Sequence, residues 1–339
     1  MTAADPTYPL FSVFAFLGFV LALIPLRWHL QAWNAGTCLY MIWSSIFCLN
    51  QFINSIVWRD NAINWAPVWC DISSRLIVLG PVAIPAASLC INRRLYKIST
   101  TQSVGISREQ KQRAILEDLV IGLGLPLISL VMAYCVTGHR FDIFEEIGCY
   151  PAVVNVWLTY VLVSTWPLGL GLVSAVYCVL TLRSFYKRNA QFSQAISSNS
   201  SGLTLNRYFR LMALATTELL CTTPVAAWAT YQNLTAEPLV PYKGWADVHF
   251  NFSRVVQVPS ALWRSDHGAV VSFELTRWLL VVCAFTFFAF FGFADEARRQ
   301  YRAAFWAVAK VFGRTPRSVS HSEKSRWVNS PILNVALLM

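Results

Sequence analysis

The chain has 339 residues, 56% of them hydrophobic and 13% charged, with a formal net charge of +10. Soluble domains carry about 25% charged residues, so the composition excludes a soluble globular domain. It also excludes a nucleic-acid-binding face, because the lysines and arginines stand between long apolar runs, with no zinc-finger or RNA-binding motif beside them.

A helix needs about 20 mostly apolar residues to cross the hydrocarbon of a bilayer. In chain order, the stretches that meet or approach this length are 8–26, 35–57, 67–91, 119–136, 153–182, 208–231 and 269–293. The first lacks the basic leader of a cleaved signal peptide, since Asp5 is the only charge before Arg27, and it reads as a retained helix. The third is the weakest by hydropathy, because Asp71 and Arg75 shorten its uncharged run. With the N-terminus outside, the inner segments hold 20 of the 27 lysines and arginines and the outer segments five, which sets the orientation. The expected architecture is therefore an all-α membrane protein: a seven-helix bundle over 1–293, N-terminus outside and C-terminus inside. Residues 294–312 repeat acids first and bases later with apolar residues at helical spacing, an amphipathic helix for the inner leaflet. The tail, 313–339, is polar and reads as disordered.

The connections differ in character. The inner one, 183–206, is basic and then low in complexity, whereas the outer one, 232–268, is rich in aromatic and β-branched residues, as a lid or binding loop would be. That outer loop holds the glycosylation sequons at Asn233 and Asn251, while a third, at Asn199, falls inside and should stay unmodified. The nine cysteines are scattered without any Cys-x-x-Cys, which argues against a metal site and a disulfide scaffold. Cys70 and Cys149 alone lie near outer membrane edges. A disulfide between them would pin the fourth-to-fifth connection over the bundle; two free thiols are the alternative.

Charges within spans are costly and mark a partner or a purpose. Asp71 and Arg75 in the third span, and Glu274 and Arg277 in the seventh, should lie at similar depths and meet in the outer third, as an ion-pair network or a ligand site. Glu218 in the sixth span sits below a kink at Pro224, as a hydrogen-bonded protonated carboxyl or as a switch. Pro81, Pro85, Pro126, Pro167 and Pro224 give each of the third to sixth spans at least one kink, which opens cavities and provides bending points. Catalytic readings find no support: His-Glu-x-x-His, Gly-x-Ser-x-Gly and a P-loop are absent, and no lysine occurs in a predicted span to hold retinal. No cofactor or metal is expected.

A seven-helix protein with a lidded outer pocket and a basic inner face fits a G-protein-coupled receptor. The rhodopsin-class signatures are missing, since Asn92-Arg93-Arg94-Leu95-Tyr96 stands where an acid-Arg-Tyr triplet would, and the seventh span has no Asn-Pro-x-x-Tyr. The sequence instead resembles the fungal mating-pheromone receptors of the a-factor (lipopeptide) type, class D, particularly basidiomycete ones. The matching words are Ile24-Pro-Leu-Arg-Trp-His29, Trp69-Cys-Asp-Ile-Ser-Ser-Arg75, Ile84-Pro-Ala-Ala-Ser-Leu-Cys-Ile-Asn-Arg-Arg-Leu-Tyr96, Gly138-His-Arg-Phe-Asp-Ile143, Glu146-Ile-Gly-Cys-Tyr-Pro151, Asn206-Arg-Tyr-Phe-Arg-Leu-Met212 and Phe291-Gly-Phe-Ala-Asp-Glu-Ala-Arg298.

The resemblance implies a multi-pass plasma-membrane receptor for a short farnesylated peptide pheromone, acting through a heterotrimeric G protein. Its further partners would be membrane lipids and, in a homodimer, a second copy of the chain; nucleic acid is not among them. On this reading Arg140, Asp142, Glu145 and Glu146 are selectivity contacts beside Asp71, Arg75, Glu274 and Arg277. Asn92, Arg93, Arg94, Tyr96, Lys97, Arg183, Lys187, Arg188, Arg207 and Arg210 form the surface for the G protein. Pheromone would shift the population toward an active bundle, with the Pro224-kinked sixth span as the moving part. The competing class, a transporter or channel for a small polar solute, needs a continuous polar path across the membrane.

Overall fold

The computed structural model describes residues 7–100, 107–198, 205–236 and 238–311. The Asn199 sequon and the tail 313–339 lie outside the described residues. Helix α1 is Leu10–Leu23 and α2 is Leu26–Gln31; between them Pro25 cannot donate a backbone N–H. Four helices follow: α3 (Ala35–Val57), α4 (Pro67–Thr100), α5 (Arg108–Tyr134) and α6 (Trp157–Lys187, helical on to Ser198). After α7 (Leu205–Ala236) come α8 (His267–Phe291) and α9 (Asp295–Val311).

Six of these helices, α3 to α8, are long and apolar enough to cross a membrane. The first predicted span is shorter than expected: α1 has 14 residues, about 21 Å at the helical rise, against a hydrocarbon layer of about 30 Å. Elsewhere the helices outrun the predicted spans. Helix α4 continues nine residues past 91, and α5 begins at Arg108 rather than 119, from a Ser107–Gln110 capping box. Hydropathy marks where hydrocarbon ends, whereas a helix continues through charged residues that have good propensity.

Helix α4 is the central strut, packing against α3, α5, α6 and α7, while α1 packs on α3 and α8. The main core lies where α3, α4, α7 and α8 converge, filled by Tyr40, Phe47, Ile84, Leu95, Tyr208 and Phe287. Close approach depends on small residues. A Cβ on Gly36 would stand 2.8 Å from the Cys90 Cβ, so α3 and α4 touch there nearly backbone to backbone. On the outside of the bundle large apolar side chains stay uncovered, including Val131, Leu172 and Leu220, as on a helical bundle solvated by lipid.

Two helices widen locally ahead of prolines. Residues Val120–Gly124 in α5 and Tyr160–Ser164 in α6 adopt π-helical turns before Pro126 and Pro167. Pro126 cannot bond the Gly122 carbonyl four residues back, and the Trp43 indole N–H donates to that oxygen at 3.0 Å instead.

The expectation of an all-α chain needs correction. Strands β1 (Phe141–Phe144), β2 (Gly148–Tyr150) and β3 (Val255–Val258) form a sheet in the order β2-β1-β3 at one end of the bundle. β1 and β2 are an antiparallel hairpin, and β3 joins β1 in parallel from the far side of the sequence.

The described residues from 294 to 311 belong to a unit of their own. In it α9 runs Asp295–Val311 and carries Arg298, Arg299, Arg302 and Lys310, with Phe305 exposed.

Candidate functional site

The β1–β2 hairpin organises the end of the bundle where it sits. Its turn needs two residues with positive φ, Glu146 (71°) and Gly148 (95°). A Cβ at Gly148 would meet Asn54 at 2.6 Å, so only glycine lets the hairpin settle on α3. Asn54 is itself fixed, donating to Ser73 (2.9 Å) and accepting from the Trp69 indole (2.9 Å). Cys70 at the start of α4 and Cys149 in β2 are disulfide-bonded, with Cα atoms 5.1 Å apart. Around them Trp58, Phe141 and Ile143 make a small sealed core. The hairpin therefore plugs this end of the bundle.

Asp71, Arg75, Glu274 and Arg277, expected to meet, form two separate clusters, because the hairpin supplies its own partner to each pair. Arg140, just before β1, donates twice to Asp71 (Nε 3.0 Å, Nη2 2.6 Å), while Arg75 stands 3.8 Å from Asp71 and donates to the Arg140 carbonyl at 3.2 Å. These bonds to Asp71 hold the Arg140 guanidinium above its ordinary pKa. On the other side Arg277 donates to both oxygens of Glu274 (2.8 and 2.6 Å), to the Glu146 carbonyl and to Thr7. Arg264 completes that cluster, donating from Nε to Glu146 at 2.6 Å and lying 4.0 Å from Glu274.

Glu145 and Glu146, expected to face a ligand, are buried in this scaffold. The Glu145 carboxylate accepts from the Ser260 N–H at 2.6 Å, and its carbonyl accepts from the Trp263 indole at 3.0 Å. Only 3% of the Glu146 side chain is exposed. Both acids thus bind the long 238–266 loop to the hairpin.

Asp142 behaves differently. It faces a cavity of about 710 Å³ shared with His139, Asp247 and Arg254 and walled by Phe144, Tyr150, Phe250 and Phe273. The Arg254 guanidinium can only donate, so its 3.1 Å contact makes His139 Nδ1 an acceptor; Nε2 then carries the proton that bonds Asp142 at 2.5 Å. Burial pushes the Asp142 carboxyl up, with the His139 hydrogen bond opposing. Phe273 packs tilted on Phe144 (4.7 Å) and edge-on to Tyr150 (5.0 Å), making one wall aromatic. The chamber offers two acids, one guanidinium and an aromatic wall, the equipment to bind a peptide by charge and stacking. Sequence reasoning assigned no role to His139, Asp247, Arg254 or Phe273, although the aromatic-rich outer loop was the available signal. Asn233, in the last turn of α7, lies on the chamber rim, and Asn251 occupies an exposed turn with φ 52°.

A second, smaller cavity of about 270 Å³ lies between α6 and α7 at the same end, bounded by Trp157, Tyr160, Leu168, Thr230, Leu234 and Leu239.

At the opposite end the expected basic surface is partly folded inward. Arg93 bonds Glu117 (2.5 Å) and Asp118 (2.7 Å) on α5, and Lys97 bonds Glu117 at 2.8 Å. Asn92 is buried and donates to Ser174 of α6 at 2.7 Å, Tyr96 lies against Tyr177, and Arg94 donates to the Trp33 carbonyl. These residues clamp α4 to α5, α6 and the α2–α3 turn. Arg183 and Lys187 are exposed and Arg210 half-buried. The side chains of Arg188, Arg207 and Glu218 lie outside the described residues, while Pro224 stands within α7.

Residues 10–312 match the family described as pheromone A receptor. The chain is 54% identical over 305 residues to the pheromone B alpha 3 receptor of Schizophyllum commune, covering 90% of this chain and 48% of that protein. It is 34% identical over 292 residues to pheromone receptor 1 of Mycosarcoma maydis (86% of this chain, 82% of that one). With the pheromone a factor receptor of Saccharomyces cerevisiae it shares 26% over 293 residues, 84% of this chain and 59% of that protein. The chain spans about half the length of the pheromone B alpha receptors of Schizophyllum commune that it matches.

Proposed function

This chain belongs to the pheromone A receptor family, and on that premise we propose that it is a plasma-membrane, G-protein-coupled receptor for a short farnesylated peptide pheromone. The observation that carries the ligand reading is the chamber at the hairpin end, where Asp142, His139 and Arg254 line up beside the Phe273 wall. The hairpin end is the outer one. Its disulfide suits an oxidising compartment, and the opposite end collects the lysines and arginines that stay inside. On this reading α1 and α2 together supply the remaining crossing of seven. The core between α3, α4, α7 and α8 is packed with aromatic and aliphatic side chains, which favours a receptor over a transporter.

In the mechanism, pheromone holds one arrangement of the outer ends and the helices carry the bias inward. The resting arrangement is the one with Arg93 bonded to Glu117 and Asp118. Movement of α7 about Pro224, with Glu218 nearby, loosens the clamp and frees Arg93 to join Arg94, Lys97, Arg183, Lys187, Arg188, Arg207 and Arg210 at the G protein. Helix α9 lies on the inner leaflet, its arginines toward anionic headgroups. Receptor in nanodiscs with a heterotrimeric G protein should accelerate guanine-nucleotide uptake when a matching farnesylated peptide is added. Peptide binding without any change in nucleotide uptake would remove the coupling half of the proposal.

A further inference from the structure

The two cavities at the hairpin end are halves of one boundary. Three pairs of consecutive residues each give one member to the chamber and the next to the slot: Val156 and Trp157, Asn233 and Leu234, Val240 and Leu239. The divider between them is a strand-like contact, with the Val240 N–H donating to the Asn155 carbonyl at 2.9 Å and Val156 bridging Val240 in parallel. On one side of it stand Asp142, Asp247, Arg254 and His139; among the described residues, the slot on the other side is lined by no carboxylate, guanidinium or ammonium.

Three of the slot's hydroxyls are also spoken for. Thr165 donates to the Val161 carbonyl at 2.6 Å, Thr230 to that of Ala226 at 2.8 Å, and the Tyr160 hydroxyl to Asn155 at 2.6 Å. Apart from the Ser164 hydroxyl and the Trp157 indole, what remains to a ligand is carbon surface. Pockets for whole ligands run about 300–1,000 Å³, a range that includes the chamber at 710 Å³ but not the slot at 270 Å³. The slot is therefore the right size for one substituent of a ligand and the wrong size for the ligand itself.

We propose that the slot between α6 and α7 takes the hydrocarbon chain of the ligand whose peptide part fills the chamber, the Val156–Val240 bridge marking the junction. This rests on the lipopeptide reading above. An opening between two helices on the bundle flank lets the chain enter sideways from the bilayer, where an amphiphile already resides, while the peptide stays at the aqueous end. The π-helical turn Tyr160–Ser164 lies on the slot wall, so the widening of α6 ahead of Pro167 is part of what makes the space.

The test uses a diazirine-bearing S-farnesyl-cysteine methyl ester and receptor in phosphatidylcholine nanodiscs, with adducts mapped by mass spectrometry. Adducts should concentrate on Trp157, Tyr160, Leu168 and Leu234. An excess of unlabelled S-farnesyl-cysteine methyl ester should compete with them at least tenfold better than palmitate does. Leu168→Trp should reduce labelling at least fivefold, and Leu234→Trp from the facing helix does the same if the first variant is not displayed at the surface. Non-saturable adducts spread over Leu172, Val176 and other uncovered side chains would mean bilayer partition only and would overturn the proposal, as would saturable labelling elsewhere. Equal competition by palmitate would assign the slot to membrane lipid. Because labelling needs no signalling, a receptor silent to every peptide yet labelled in the slot would sink the signalling part of the function reading and leave the slot's binding of a prenyl chain standing.

Discussion

Replacing Glu146 by alanine separates a scaffold role from a ligand-contact role. The Glu146 side chain is 3% exposed and pairs with Arg264, which is 20% exposed and also lies over Trp263 at 4.5 Å. Breaking a buried ion pair from one side costs about 3–5 kcal/mol. Arg264 keeps some solvent and a second carboxylate, Glu274, at 4.0 Å, so Glu146→Ala belongs at the lower end, about 3 kcal/mol. Arg264→Ala takes the guanidinium from the better-buried charge and belongs at the upper end, about 4–5 kcal/mol. The double variant should be less damaging than the sum, with a coupling of about 2 kcal/mol between the two sites. Unfolding of detergent-solubilised receptor across the four-member cycle measures this. If Glu146→Ala changes stability by less than about 0.5 kcal/mol while altering which peptide activates the receptor, the scaffold reasoning is refuted and Glu146 is a ligand contact.

Three further outcomes are expected. Cys149→Ser should reduce surface display sharply, because cross-linking residues 79 apart is worth up to about 4.5 kcal/mol by chain entropy; undiminished display in surface labelling would contradict it. Asp118→Asn should raise pheromone-independent reporter output, about tenfold for each 1.4 kcal/mol removed from the resting arrangement, since it takes the negative charge out of the 2.7 Å contact with Arg93; an unchanged or lower basal signal would show that the clamp does not restrain activation. Asp142→Asn should abolish the peptide response without lowering thermal stability. Burial raises this carboxyl's pKa in the fold, so the folded state holds the proton more tightly than the unfolded chain and loses stability as rising pH ionises Asp142. The uncharged variant escapes that loss, and melting curves at pH 4 and pH 7 should therefore differ less for it than for the parent.

Much of the bundle was legible because lipid imposes a simple rule, and the apolar runs are long. Helix ends were not. Glu117 and Asp118 lay just outside a predicted span and were not recognised as the partners of Arg93, since hydropathy says nothing about where a helix begins below the hydrocarbon. The sheet was invisible for a different reason: strands of three or four residues carry almost no periodicity, and β3 pairs with β1 across more than a hundred residues of sequence. That omission carried over to the charges. Depth along α4 and α8 puts Asp71 and Glu274 near one end, but their partners depend on the hairpin segment, where Arg140 reaches Asp71 and the Glu146 carbonyl accepts from Arg277. Prolines were easy to find, whereas the donor that satisfies a freed carbonyl, Trp43 at Gly122, came from another helix and left no local signal.

The central claim is that a farnesylated peptide entering the outer chamber activates this receptor. The direct measurement is a dose–response in a mating-reporter cell, with surface display confirmed, across a panel of short peptides made with and without a C-terminal farnesyl-cysteine. The account predicts activation by a small subset of the farnesylated peptides, a much weaker response to their unmodified counterparts, and loss of the response in Asp142→Asn. Silence to the whole panel, or equal activation with and without the farnesyl group, would contradict it.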